Sequence, residues 1–519
     1  MTARRSVYLE TMGCQMNALD SELALGSLMQ RGYQLTGDLL NADLVVINTC
    51  SVRQHAEDKV YSRLGQLKGG KQKRRDNQIV AVIGCMAERD GDGLLDKMPQ
   101  VDILCGPSEL HRLPGLISDV EATRERAIAL SGRLRDHTTS AIASVEHEDL
   151  EALDSSRHFG VSQHAAVPKV FGRHQAYVRI TRGCNKYCTF CVVPYTRGPE
   201  QHRSPDQIVE EARRLADNGV VEVTLLGQTV NHYHFDPKGP ADTSFARLLR
   251  RVHDEVPQLP RLRFVTSYPR DFTDEALEVM SSSPRICKYL HVPAQSGSNS
   301  QLKRMNRGYS VEEYMGLIDR ARALMPDIAL AGDMIVGFSG ESEEDFQKSL
   351  DLLRYCRYKN CFVFKYSPRP GTNADGRLPD DIPEEEKRRR NNEMLAVQAE
   401  VSLANHQGML GRKFEVLVEG RSKAELKRQE SEQERGGEID REGDMTGGES
   451  RRTIQLVGRT QGDQIVVFDG DADWIGRFAN VEIIAATPYT LHGQVTDATD
   501  LSPAATTANR GISLSVLPG

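Results

Sequence analysis

The sequence predicts an α/β protein of three units: an N-terminal parallel-sheet α/β domain, a central partial (β/α)6 barrel and a small C-terminal antiparallel β-barrel. Three observations carry this. Between about residues 5 and 117, short apolar runs alternate with amphipathic stretches, the pattern of a parallel sheet with helical crossovers. From Tyr177 a second series repeats through six strand-helix units, as in a barrel or partial barrel. After about residue 411 the pattern changes to short strands separated by glycines, which suits a small antiparallel barrel. A length of 519 residues accommodates about three domains.

The composition, 39% hydrophobic and 27% charged, is that of a globular protein. A net charge of −7 removes any general basic signature, so nucleic-acid binding would rest on local patches. Met1-Thr2-Ala3-Arg4-Arg5-Ser6 runs into a strand without an apolar h-region, and no apolar run approaches the ~20 residues that span a bilayer. The expectation is a cytoplasmic protein with no membrane association. Ten cysteines without a secretory signal point to metal or catalytic use over disulfides.

In the first domain (5–117), Ser6–Leu9 reads as a strand, followed by a helix from about Asp20 to Arg31 with Leu23, Leu25, Leu28 and Met29 on its apolar face. Leu44–Ile47 is a second strand, 54–67 a helix, and Ile79–Ile83 a third strand. Cys14, Cys50 and Cys85 each follow a strand, and the carboxyl ends of parallel strands share the edge where ligands bind. The alternative is three unrelated buried thiols. Cys105, after Val101–Leu104, is a rival for a ligand place but reads as packing. Residues 118–172 are weakly patterned and read as a linker with room for one short helix.

The central domain (173–405) has strands at Val178–Thr181, Val221–Leu226, Leu262–Thr266, Tyr289–Val292, Ile328–Val336 and Phe362–Tyr366, with helices such as Pro205–Asn218 and Val311–Leu324 between them. Cys184, Cys188 and Cys191 follow the first strand in a C-x3-C-x2-C pattern. Thiolates suit zinc, copper(I) or iron–sulfur iron. A closed zinc site needs four protein ligands, and a fourth is missing nearby; three thiolates on a cubane cluster would leave one iron open. The charged helix from Glu384 places acid first and base later, as its dipole favours. In the last domain (410–493), strands fall at Phe414–Val418, Thr453–Val457, Ile465–Phe468 and Val481–Ile484. A polar insert at 420–452 is expected to be disordered, and the tail 494–519 mobile.

Cys184–Cys191, with Tyr177–Gly183 before it and Val192–Gly198 after it, together with Cys14, Cys50 and Cys85, resembles the methylthiotransferase family of radical S-adenosylmethionine (SAM) enzymes. Leu225–Asn231, His291–Ser298 and Tyr366–Thr372 are most similar to its tRNA-modifying branch, and the final barrel resembles a TRAM domain, an RNA-binding module. The resemblance covers about 5–117 and 173–490. Departures are the long linker, the long insert, and Arg203-Ser204-Pro205, where one residue separates an Arg and a Pro usually adjacent.

The resemblance implies two 4Fe-4S clusters, one on Cys184, Cys188 and Cys191 whose open iron binds SAM, the other on Cys14, Cys50 and Cys85. It implies insertion of sulfur and a methyl group at C2 of N6-isopentenyladenosine at position 37 of tRNA, beside the anticodon. A C2–H bond is not acidic, so radical abstraction answers a difficulty that acid–base catalysis would not. Phe190 is the expected contact to the SAM adenine, with a core aromatic as the alternative. Gly227, Gln228, Ser267 and Gln295 end barrel strands and are candidate SAM contacts, with turn residues as the alternative; Asp333–Phe338 is a further candidate stretch, its apolar members reading as barrel filler. Arg179, Arg182, Lys186, Arg197, Arg203, Lys303, Arg304 and Arg307 are candidate phosphate contacts, whereas the run Lys71–Arg75 reads as solvated surface. Expected partners are tRNA, an electron donor, and a sulfur donor or iron–sulfur assembly system, acting on a monomer. Alternatives are N6-threonylcarbamoyladenosine in tRNA, an aspartate of a small-subunit ribosomal protein, a non-catalytic iron–sulfur or zinc RNA-binding protein, and an electron carrier.

Overall fold

The computed structural model describes residues 5–51, 54–67, 77–132, 150–154, 174–235, 243–435 and 453–496. The first domain is a parallel sheet in the order Tyr33–Leu35, Arg5–Thr11, Leu44–Thr49, Ile79–Gly84, Ile103–Cys105, Ala127–Ala129. Leu44–Thr49 and Ile79–Gly84 are buried along their whole length. Covering a parallel strand on both faces demands such unbroken apolar runs. The sixth strand lies inside the stretch read as linker, so the first domain extends past residue 117 to Ala129. Ala127-Ile128-Ala129 is a three-residue edge strand, too short to show a period.

A second piece of that stretch, residues 150–154, is helical, with Leu150, Glu151, Leu153 and Asp154 buried. Residues 133–149 and 155–173 of the linker, the basic run Lys71–Arg75, residues 436–452 of the insert and the tail from 497 lie outside the described residues.

The central domain has six parallel strands: Gln175–Arg179, Glu222–Leu226, Arg261–Val265, Tyr289–His291, Ala329–Val336 and Asn360–Lys365. They form two three-stranded halves, joined at a bridge between Leu262 and Ile286. Among the described residues no ladder joins the first strand to the sixth, so the barrel is partial. Outward side chains such as Val178, Leu225, Phe264, Leu290, Leu330 and Met334 build one core with the surrounding helices. Inward Tyr177, Leu226, Val265, Tyr289 and Ala331 instead share an apolar cluster with Met16, Leu19 and Leu23 of the helix Gln15–Gln30. The first domain is therefore seated on the barrel's interior.

The C-terminal unit is a closed barrel of Lys413–Arg421, Ile454–Arg459, Ile465–Gly470, Leu491–Val495 and Phe478–Ala486. Four of its five ladders are antiparallel; the one between Ile465–Gly470 and Leu491–Val495 is parallel. The insert expected to be disordered is in part a helix, Lys423–Arg435. Ser422 accepts from the Glu425 amide at its start, and Arg428 pairs with Glu425 and Glu432. Such same-face pairs support a helix in a sequence too polar to show an apolar stripe. This unit docks on the amino-terminal end of the central strands, where Arg261 donates to the Arg459 carbonyl and Arg263 to that of Thr460. The opposite end carries the cysteine loop.

Candidate active site

Three adjacent strands of the first sheet set the first triad. Thr11 pairs with Asn48, and Thr49 with Gly84, so Cys14, Cys50 and Cys85 leave neighbouring strands at nearly one level. Glycines permit the approach. A Cβ on Gly13 (φ +124°) would sit 2.5 Å from the Cys50 Cβ, and one on Gly84 (φ +95°) 2.5 Å from Asn48 Oδ1. A buried polar net underlies the triad: Asn17 Nδ2 donates to Asn48 Oδ1 (3.1 Å) and to the Thr49 carbonyl (2.7 Å), and Cys14 Sγ donates to Asn17 Oδ1 at 3.3 Å. Cys105 pairs with Ile83, two positions below Cys85, and its thiol donates to the Glu109 carbonyl. It is satisfied and out of reach of that edge, as the packing reading expects.

The second triad sits in the loop after the first barrel strand. Gly183 turns the chain at φ +69°, and the Cys184 amide donates to the Gly198 carbonyl at 3.1 Å. Cys184 Sγ lies 3.8 Å from Thr229 Oγ1, and Arg307 Nη1 donates to Cys188 Sγ at 3.3 Å. Lys186 pairs with Asp271 at 2.5 Å beneath the Tyr268 ring.

Both triads open on one cavity of about 1500 Å³, whose wall includes Cys14, Cys50, Cys184, Cys188 and Cys191. Cys85 lies behind that wall, buried beside Cys14 and Arg197. Burial pushes the thiols of Cys85, Cys184 and Cys191 upward, and neighbouring thiols push the same way. Such groups become thiolates only against a cationic centre. Among the described residues no three His, Cys, Asp or Glu side chains are grouped to hold a single metal ion. Each triad offers three thiols, one short of the four ligands of a closed zinc site.

The expected SAM contacts divide. Gln228, Ser267, Gln295 and Phe190 line the cavity. Among the described residues Gln228 Oε1 and Ser267 Oγ have no partner though buried. Orphaned buried polar atoms at a cavity are what a polar ligand would satisfy. Gln295 holds φ +73° between the Asp333 carbonyl and the Ile335 amide. Phe190 also packs edge-on against Phe338, so it is at once cavity wall and core. Gly227 is not at the wall: a Cβ there would lie 2.1 Å from Thr181 Oγ1, so its smallness serves strand packing. Of the stretch Asp333–Phe338, Asp333 faces the cavity and pairs with His291, while Met334, Val336 and Phe338 are core.

The phosphate-contact expectation fails for four arginines. Arg179, Arg182, Arg197 and Arg203 are between 1% and 7% exposed and are spent on carboxylates. Arg179 binds Asp20 (2.8 Å) and Asp154 (2.5 Å), Arg182 binds Asp154, Arg197 binds Asp20 (2.8 Å), and Arg203 binds Glu151 and Glu211 (2.7 Å each). Sequence reasoning missed these partners because they share no motif with the arginines and stand anywhere from 8 to 177 positions away. It also missed Asn17, although its place three residues after Cys14, on the next helical turn, is a readable signal. A second contact between domains joins Arg369, after the sixth strand, to Glu57 at 2.8 Å; Glu57 also takes both arms of Arg89. Lys303 and Arg304 are exposed.

Comparison with known proteins bears on the whole chain. The Radical SAM superfamily matches residues 178–353, Uncharacterized protein family UPF0004 residues 6–106, and the TRAM domain residues 447–496. The tRNA-2-methylthio-N(6)-dimethylallyladenosine synthase of Rhodopirellula baltica is 43% identical over 492 residues, covering 95% of each chain. The protein of that name from Phocaeicola vulgatus is 40% identical, covering 94% of this chain and 96% of its own. Among solved structures, the radical S-adenosylmethionine methyltransferase TsrM of Kitasatospora setae aligns over 72% of this chain and 77% of its own, with 15% identity and a TM-score of 0.47.

Proposed function

The chain belongs to the tRNA-2-methylthio-N(6)-dimethylallyladenosine synthase family, and from that premise we propose that its cavity is where sulfur and a methyl group are placed on C2 of an N6-dimethylallyl (isopentenyl) adenosine at position 37 of tRNA. The single observation that carries the reading is that five of the six triad cysteines face one cavity. A reaction that needs both a radical source and a sulfur source needs the two at one substrate.

Cys184, Cys188 and Cys191 would hold one 4Fe-4S cluster and Cys14, Cys50 and Cys85 the other. When bound, these groups and SAM supply one-electron removal of the C2 hydrogen, the sulfur and the methyl group. The chain supplies placement. Asn17 orients the Cys14 thiol, and Thr229 and Arg307 approach those of Cys184 and Cys188. Gln228 and Ser267 offer unspent polar atoms to the polar groups of SAM, and Phe190 a ring to its adenine. The C-terminal barrel and the exposed Lys303 and Arg304 are the parts suited to tRNA. A one-electron donor and a sulfur donor or iron–sulfur assembly system would serve a monomer in the cytoplasm; among the described residues no helix is long and apolar enough to cross a membrane.

The test is anaerobic reconstitution with iron and sulfide, then incubation with SAM, reductant and isopentenylated tRNA, with nucleosides read by mass spectrometry. The expected result is a methylthio adduct that vanishes in Cys14→Ala, Cys50→Ala or Cys85→Ala while SAM cleavage persists. An adduct only on threonylcarbamoylated tRNA would change the substrate, and fully loaded clusters without SAM cleavage would sink the enzyme reading.

A further inference from the structure

The loop after the helix Asn299–Arg304 carries Arg307 into the wall of the cavity beside the second triad. Its Nη1 donates to Cys188 Sγ at 3.3 Å, its Nη2 to the Pro293 carbonyl at 3.1 Å, and its Nε to the Tyr309 hydroxyl at 2.9 Å. The guanidinium lies over two rings, 4.5 Å from the centre of Tyr268 and 5.1 Å from that of Tyr309. Every side of it is thus fixed. Unlike Arg179, Arg182, Arg197 and Arg203, it has no carboxylate partner among the described residues. A half-buried cation without a carboxylate counter-ion is unusual, and the group its Nη1 does reach is the sulfur of a triad cysteine.

We propose that Arg307 is a positioning residue that sets the electron affinity of the iron–sulfur cluster held by Cys184, Cys188 and Cys191. The inference rests on the reading of that triad as a cluster site. Reduction adds one electron, taken from an external one-electron donor, and so one negative charge spread over iron and sulfur. A fixed positive donor at a ligand sulfur stabilises the reduced form more than the oxidised one. Hydrogen bonds to sulfur and local charge are among the levers that set such potentials. Arg307 would then ease delivery of the electron without touching SAM's reacting bond. Tyr309, which takes the Nε hydrogen bond, would hold the fork in line with Cys188.

The experiment uses the full chain with Cys14→Ala, Cys50→Ala and Cys85→Ala, so that a single cluster is read. Iron and sulfide are counted after anaerobic reconstitution, and the midpoint potential is titrated by electron paramagnetic resonance. Arg307→Met should load iron normally and shift the reduction equilibrium about tenfold against the reduced form, about 59 mV for one electron. Arg307→Lys, which keeps the charge, should recover more than half of that shift. Tyr309→Phe should move the potential the same way by a smaller amount, and it carries the test alone if Arg307→Met fails to load. A loaded Arg307→Met, or failing that Tyr309→Phe, whose equilibrium changes by less than about twofold would overturn the inference and leave Arg307 as packing between two tyrosines. A parent chain that binds no iron would instead overturn the cluster reading itself.

Discussion

Gly183 shows how much of the site depends on one absent carbon. A Cβ there would stand 2.1 Å from the Pro199 carbonyl oxygen and 2.3 Å from that of Gly198, at a φ of +69° that side chains avoid. Both contacts are backbone, so neither can swing aside. Gly183→Ala should break the hydrogen bond from the Cys184 amide to Gly198 and splay the second triad while the first domain keeps its own. The expected outcome is near-normal helix content by circular dichroism with about half the iron of the parent protein after reconstitution; full iron would show that the loop closes without Gly183. The convergence of the cysteines was legible because they stand at close spacing or at the ends of parallel strands, which share one edge. The four buried arginines were misread because a guanidinium on paper looks the same whether it meets phosphate or a carboxylate that the fold brings to it. Gly227 is ambiguous for a similar reason: a glycine at a strand end marks close approach, but the sequence does not say of what, and here it is the Thr181 hydroxyl.

At the scale of elements, the stretch read as linker holds the counter-ions of the barrel's first strand. Asp154, on the short helix 150–154, receives Arg179 and Arg182 and is buried with them. Burial alone would push its carboxyl upward, but Arg179, Arg182 and Arg203 outweigh that and hold it below the usual carboxylate range. Glu151, one turn earlier, takes both the Nε and Nη2 of Arg203. A charged, aperiodic sequence invites the reading of solvated chain. Here the charges face inward, and only the partner element reveals it. Asp154→Ala would leave Arg182 buried without its carboxylate and Arg179 with Asp20 alone, at a cost of about 3–5 kcal/mol. Urea unfolding of the metal-free chain should show that loss, whereas Asp206→Ala, at a pair whose aspartate is exposed, should cost within about 1 kcal/mol. Equal effects at the two sites would mean that the helix 150–154 is not held by its ions.

For the whole molecule, the arrangement of domains was the part least open to sequence reasoning, because docking depends on pairs that share no motif. The C-terminal barrel inserts the turn around Asp463 (φ +64°) into the amino-terminal end of the central barrel. Asp463 meets Lys359 at 2.5 Å, Arg459 at 3.0 Å and Arg263 at 3.8 Å, with the carboxylates of Glu222 and Glu419 nearby. Burial would push the Asp463 carboxyl up; Lys359, Arg459 and Arg263 together draw it well below the ordinary range. An aspartate in the unfolded chain titrates near 3.9. A folded value below the unfolded one gives stability that is fully present above the unfolded value and is lost as pH falls through the folded one. Asp463→Asn should therefore lower Tm by a nearly constant amount between about pH 8 and pH 5, and the gap to the parent should narrow below about pH 4, where the unfolded chain's aspartate takes up a proton that the folded one still refuses. Truncating one partner of such a buried cluster costs about 3–5 kcal/mol, so the plateau is large enough to measure. A gap that narrows as pH rises would reverse the sign and rule out the ion cluster as what holds the C-terminal barrel against the base of the central one.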